Sequence, residues 1–137
     1  MFPRMRSLAS LAVLFVIYSP ILAQDSSPQV PTRIRVSQGI AQRNILDQPE
    51  PEYPKEAIDK GLEGLVVLKF VIGREGHVQF IRASEGDSIL AESAAKAVKQ
   101  WRYKPFVLDG NVLEVETQVT IKFSRKKKKA KVVETRT

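Results

Sequence analysis

Cysteine is absent from this chain. Neither a disulfide framework nor a thiolate metal site is therefore available to it. The lack does not argue against export, because an exported domain can do without disulfides. Histidine is nearly absent as well, His77 being the only one. It stands beside a hairpin turn and reads as a solvated turn residue. Without a second histidine or a thiol, a zinc site and a nucleophilic triad both lack partners. Glu50, Glu52, Glu75, Glu85 and Asp87 sit in polar, loop-like contexts, with nothing to bury one and raise its pKa for acid catalysis. Gly73-Arg74-Glu75-Gly76 leads into a strand and not a helix, so it is no phosphate loop. The sequence offers no catalytic residue, no metal ligand set and no cofactor site.

A long apolar run is also lacking. Arg4 and Arg6 precede a short apolar core, Leu11 to Ile17, and Pro20 then interrupts it before Ile21-Leu22-Ala23. The pattern reads as a signal peptide over residues 1–23. The alternative is a short anchor, although a spanning helix needs about 20 apolar residues. Either reading places the remainder outside the cytoplasm. Positive charge is plentiful, with a formal net charge of +7, but it is unevenly spread. Residues 24–124 sum to −1 and residues 125–137 to +6. The basic excess belongs to the tail, which argues against nucleic-acid binding by the domain.

Along the chain, residues 24–42 read as a leader and extended arm, with polar-apolar alternation at Arg33-Ile34-Arg35-Val36-Ser37. Pro49, Pro51 and Pro54 demand extended backbone. Pro54 opens a short helix with Ala57 and Ile58 on its buried face, and Gly61 is a left-handed stop. Residues 64–72 alternate as a strand, with Val66, Leu68, Phe70 and Ile72 on one face. A tight turn joins it to an antiparallel strand over 77–83, whose alternation breaks at Phe80-Ile81 and predicts a bulge. Asp87 or Ser88 caps a second helix whose stripe is Leu90, Ala94, Ala97, Val98 and Trp101. After the turn Leu108-Asp109-Gly110-Asn111, residues 113–123 alternate with Leu113, Val115, Thr117, Val119, Ile121 and Phe123 inward. The lysine run beyond Ser124 repels itself and predicts a disordered tail over 125–137. The expected fold is α+β, a small antiparallel sheet of about three strands with two helices packed on one face. Its core includes Val66, Leu68, Phe70, Trp101 and Tyr103.

Glu52-Tyr53-Pro54 with Ala57, then Gly61-Leu62-Glu63-Gly64-Leu65-Val66, a Gly-bounded hairpin, and Trp101-Arg102-Tyr103-Lys104-Pro105 resemble the TonB C-terminal domain family over residues 43–124. The resemblance implies a periplasmic module that grips a peptide segment of an outer-membrane TonB-dependent transporter by β-strand addition. It also implies force from an inner-membrane proton-driven motor complex in support of energy-dependent transport. By resemblance the edge lies along residues 112–123 and the proline-rich approach beside it. The implied partner-binding residues are Glu50, Tyr53, Pro54, Glu116, Gln118, Thr120 and Lys122. The strand's edge is expected to be open, since no later segment reads as a strand. Two departures stand out. No ionisable residue lies between Ser7 and Gln24, where a transducer's anchor carries a histidine, and the segment from Gln24 to Gln48 is short for a spacer. A non-energised envelope adaptor is the other reading, with Arg125–Lys131 holding anionic lipid or cell-wall polymer. The outward face at Leu65, Val67 and Val71 is apolar, and either the arm at Ile34 and Val36 covers it or two copies pair there as a homodimer.

Overall fold

A computed structural model describes residues 33–134 and, of the preceding segment, Pro3 alone. The signal or anchor, the leader up to residue 32 and the last three residues lie outside the described residues. In chain order the elements are β1 (Arg33–Arg35), α1 (Gln38–Gln42), β2 (Ile45–Asp47), α2 (Lys55–Asp59), β3 (Gly64–Ile72) and β4 (Val78–Glu85). They continue with α3 (Ser88–Lys99), β5 (Arg102–Tyr103), β6 (Phe106–Leu108), β7 (Asn111–Ser124) and β8 (Lys129–Val133).

Local chemistry sets each boundary. Pro54 caps α2, and Gly61 ends it in the left-handed region at φ 69°, where the Leu62 N–H donates to the Ala57 carbonyl at 2.8 Å. Asp87 accepts from the N–H groups of Ile89 and Leu90 at the start of α3, satisfying two orphan donors. Asp109 and Gly110, both at positive φ, make the two-residue turn that suits a hairpin between β6 and β7. The bulge is present. Lys69 faces Arg82 while Val71 faces Gln79, so β4 carries one extra residue, and Phe80 adopts φ 52°.

β7 is the spine. It pairs antiparallel with β3 from Val115 to Phe123, and β3 pairs in turn with β4. On its other side it carries β1 in parallel and β8 antiparallel, and its start folds back on β6. The main sheet thus has six strands where about three were expected, and β2 with β5 forms a separate pair. Of the extra strands, β6 and β8 come from segments too short or too charged to announce themselves, and β1 is the alternating arm drawn into the sheet. The α+β class stands. α3 packs on β3 and β4, α2 on α3, and α1 on β7. Val66, Leu68, Phe70, Val115, Val119, Ile121 and Phe123 meet Leu90, Ala94 and Val98 in one core, with Trp101 and Tyr103 enclosed. Each such aliphatic side chain contributes roughly 1.5–3 kcal/mol when fully buried. Trp101 lies beyond the helix and presents its ring edge-on to Phe70, centroids 6.4 Å apart.

Three expectations change. Residues 125–134 are not a disordered tail: Arg125–Lys127 form a 3-10 turn, Lys128 takes a left-handed conformation, and β8 follows. Lysine repulsion is offset by the ladder to β7 and by Ala130, 3% exposed in the core. The arm does not cover the apolar face; β1 joins the sheet edge, with Ile34 and Val36 packed against the core. The β7 edge is not open, since β1 takes residues 114–116 and β8 takes 120–124.

Candidate functional site

The gap between β1 and β8 is bridged by one side chain. Gln38, at the start of α1, accepts from the Thr120 N–H at 3.2 Å and donates to the Val133 carbonyl at 2.9 Å. It bridges the Thr120 N–H and the Val133 carbonyl of the last ladder pair between β7 and β8, and so joins arm, spine and last strand.

The same bond orients β8. Thr120 turns its N–H toward the β8 side, so the even-numbered residues of β7 do, and their partners Lys129, Lys131 and Val133 turn inward to meet them. The main-chain groups of Ala130 and Val132 therefore face away from β7. Among the described residues no strand pairs with that side. It borders a groove of about 340 Å³ whose far wall is Gln48, Pro49, Glu50 and Pro51, with Gln42 and Trp101 also lining it.

The segment from Gln48 to Tyr53 is held by four side-chain hydrogen bonds. The Trp101 indole N–H donates to the Pro49 carbonyl at 2.9 Å. The Ser93 hydroxyl donates to the Glu52 carbonyl and the Tyr53 hydroxyl to the Leu62 carbonyl. Gln42 and Gln48 pair through their amides at 2.8 Å. The proline segment is thus extended, fixed and parted from β8 by open space. The opposite edge of the sheet, β4, offers no comparable template, because two register breaks and the Phe80 kink bend it. Bulges of this kind protect an edge from pairing.

The expected partner-binding residues divide. Glu50 is exposed on the groove wall. Tyr53 belongs to the core, 8% exposed with its ring edge-on to Phe123 at 5.4 Å, and Pro54 is the half-buried cap of α2. Glu116 is bound to Arg35 at 3.1 Å and its carbonyl accepts from the Val36 N–H. Gln118 and Lys122 are exposed on the outer face of the sheet. Thr120 alternates outward yet is buried, 4% exposed. Reasoning from sequence missed Gln38, Gln48, Pro49, Ala130 and Val132; the one signal for the last two was their alternation with Lys129 and Lys131. His77 is half-exposed at the hairpin and bridges to Arg102, as a turn residue would. Burial pushes the Tyr103 phenol well above its ordinary value, which leaves it neutral. No cluster of three metal-binding side chains occurs among the described residues, nor any helix long and apolar enough to cross a membrane.

This geometry describes a small α+β domain that presents a strand edge across a groove from a rigid proline segment. Residues 49–124, more than half of the chain, match the family described as Gram-negative bacterial TonB protein C-terminal. The chain belongs to that family. It is similar to protein TonB of Vibrio cholerae, 33% identical over 109 residues, which is 72% of this chain and 44% of that protein. It is similar to protein tonB2 of Pseudomonas aeruginosa, 37% identical over 68 residues, which is 47% of this chain and 25% of the relative. The chain thus spans less than half the length of these curated relatives. The solution NMR structure of the Pseudomonas aeruginosa TonB CTD shares the fold, with a TM-score of 0.51 at 24% identity over 68% of this chain and 88% of that one.

Proposed function

We propose that this domain works in the periplasm, binding an extended peptide segment of an outer-membrane transporter by strand addition and passing on the force of an energised inner-membrane complex. Family membership supports the role. The observation that carries the binding mode is the outward main chain of Ala130 and Val132 facing the fixed wall Gln48–Pro51. A guest strand in the groove pairs with β8 on one side and meets Pro49, Glu50 and Pro51 on the other. Backbone bonds of this sort contribute about 0.5–1.5 kcal/mol each, net. A few of them, less the cost of ordering a peptide, correspond to micromolar affinity. Side chains add the rest of the selectivity: Lys131 on β8 favours an acidic guest.

Proline substitution separates the two sides of β8. The Val132 N–H faces the groove and takes no part in the ladder to β7, so Val132→Pro deletes a guest contact while sparing the fold. In pulldown with a transporter's periplasmic peptide, Val132→Pro should lose binding and Val132→Ala should keep it, both with parental circular dichroism. Equal binding by a folded Val132→Pro variant would rule out strand addition at this edge.

A further inference from the structure

The outer face of the sheet carries a second hollow, of about 590 Å³, where the sheet is notched between the end of β1 and the end of β8. Its lining includes Arg35, Lys69, Arg82, Gln118 and Glu134. Lys69 stands in register with Arg82 on β4 and with Gln118 on β7, so two cations and an amide lie in one row across three strands. Like charges directly opposite on a sheet repel and destabilise it. The same face solves this problem twice nearby, where Arg33 is bound to Glu114 at 2.8 Å and Arg35 to Glu116 at 3.1 Å. Lys69 and Arg82 have no such carboxylate among the described residues.

We propose that this row is a phosphate-binding site. A phosphate or phosphomonoester carries between one and two negative charges near neutral pH and several acceptor oxygens. It therefore answers both cations at once, where a single carboxylate answers one. The Arg82 guanidinium can take two oxygens in its fork, Lys69 supplies a point charge, and the Gln118 amide donates from the third strand. Glu134, on the rim, opposes the ligand and limits its affinity. The site shares Gln38 and Glu134 with the β8 groove, but its cations Lys69 and Arg82 line this hollow alone, and it does not depend on the peptide-binding reading.

The test is a titration of the full chain with inorganic phosphate at constant ionic strength, followed by amide chemical shifts. Saturable shifts should centre on Lys69, Arg82 and Gln118. Lys69→Gln or Arg82→Gln should weaken binding roughly ten- to a hundredfold, the loss that goes with one charge-assisted hydrogen bond. Glu134→Gln should tighten it. In phosphate-free buffer Lys69→Gln should melt above the parent, because it relieves the repulsion, and phosphate should raise the parent's midpoint but not the variant's. Non-saturating shifts, shifts centred on Lys126–Lys129, or a lower midpoint for Lys69→Gln in phosphate-free buffer would each overturn the proposal. Sedimentation with phosphatidylcholine vesicles containing phosphatidic acid separates the sources. Pelleting that Arg82→Gln abolishes and free phosphate reverses identifies a lipid headgroup, whereas saturable soluble binding without pelleting identifies a soluble phosphate.

Discussion

Trp101 connects core and site. Its ring is fully buried against Phe70, and its N–H holds Pro49 in the groove wall. Trp101→Ala should cost about 3–5 kcal/mol in denaturant unfolding, as large aromatic truncations do. Trp101→Phe keeps much of the packing but leaves the Pro49 carbonyl without its donor. That variant should lose about 1–3 kcal/mol and show faster amide exchange at Gln48, Glu50 and Glu52. Gly76 is as tightly constrained. It sits at φ 84°, and a β-carbon there would lie 1.9 Å from the Tyr103 carbonyl oxygen. Gly76→Ala should therefore destabilise by roughly 2–4 kcal/mol and part the hairpin from β5. Tyr103 gives a pH signature. Its phenol is raised above the ordinary value of 10.0 in the folded chain, so the folded state holds its proton more firmly than the unfolded state does. Its contribution is complete below pH 10 and falls as pH rises beyond. Tyr103→Phe should flatten the loss of stability in alkaline melts; an unchanged slope would mean that the phenol is not sequestered.

At the scale of elements, β8 and α1 act together through Gln38. Gln38→Leu should speed exchange of the Thr120 amide, which loses its acceptor, and loosen the end of β8 near Val133. A chain ending at Ser124 should melt at a lower temperature than the full chain, because it loses the β7 ladder and the buried Ala130. Much of this architecture was legible. The strands over 64–72 and 113–123, the caps at Pro54 and Asp87, the stop at Gly61 and the bulge at Phe80 each follow from spacing or backbone preference. β8 was not, because charge density dominates the run Arg125–Lys131 and hides the alternation of Ala130 and Val132. β1 was readable as a strand but not its pairing, which is parallel to a segment 81 residues away. Thr120 was misplaced for the same reason: alternation gives its face, but only Gln38 and β8 explain its burial. The site was half-legible. The proline wall was visible in composition, while its facing edge depended on a strand that the lysines concealed.

For the whole molecule, four strands pair directly with β7. The arm and the final strand reach the same side of it from opposite ends of the described chain, and Gln38 links them. In the proposed binding mode the edge is therefore not the longest strand but β8, and a guest would extend the sheet by one further strand. The central claim is that the guest adds to β8 without displacing it. Amide hydrogen exchange, with and without a saturating transporter peptide, tests this residue by residue. Ala130 and Val132 should gain protection on binding, while Lys131 and Val133, already bonded to β7, should hold theirs. Loss of protection across Lys129–Val133, or no change at Ala130 and Val132, would contradict it.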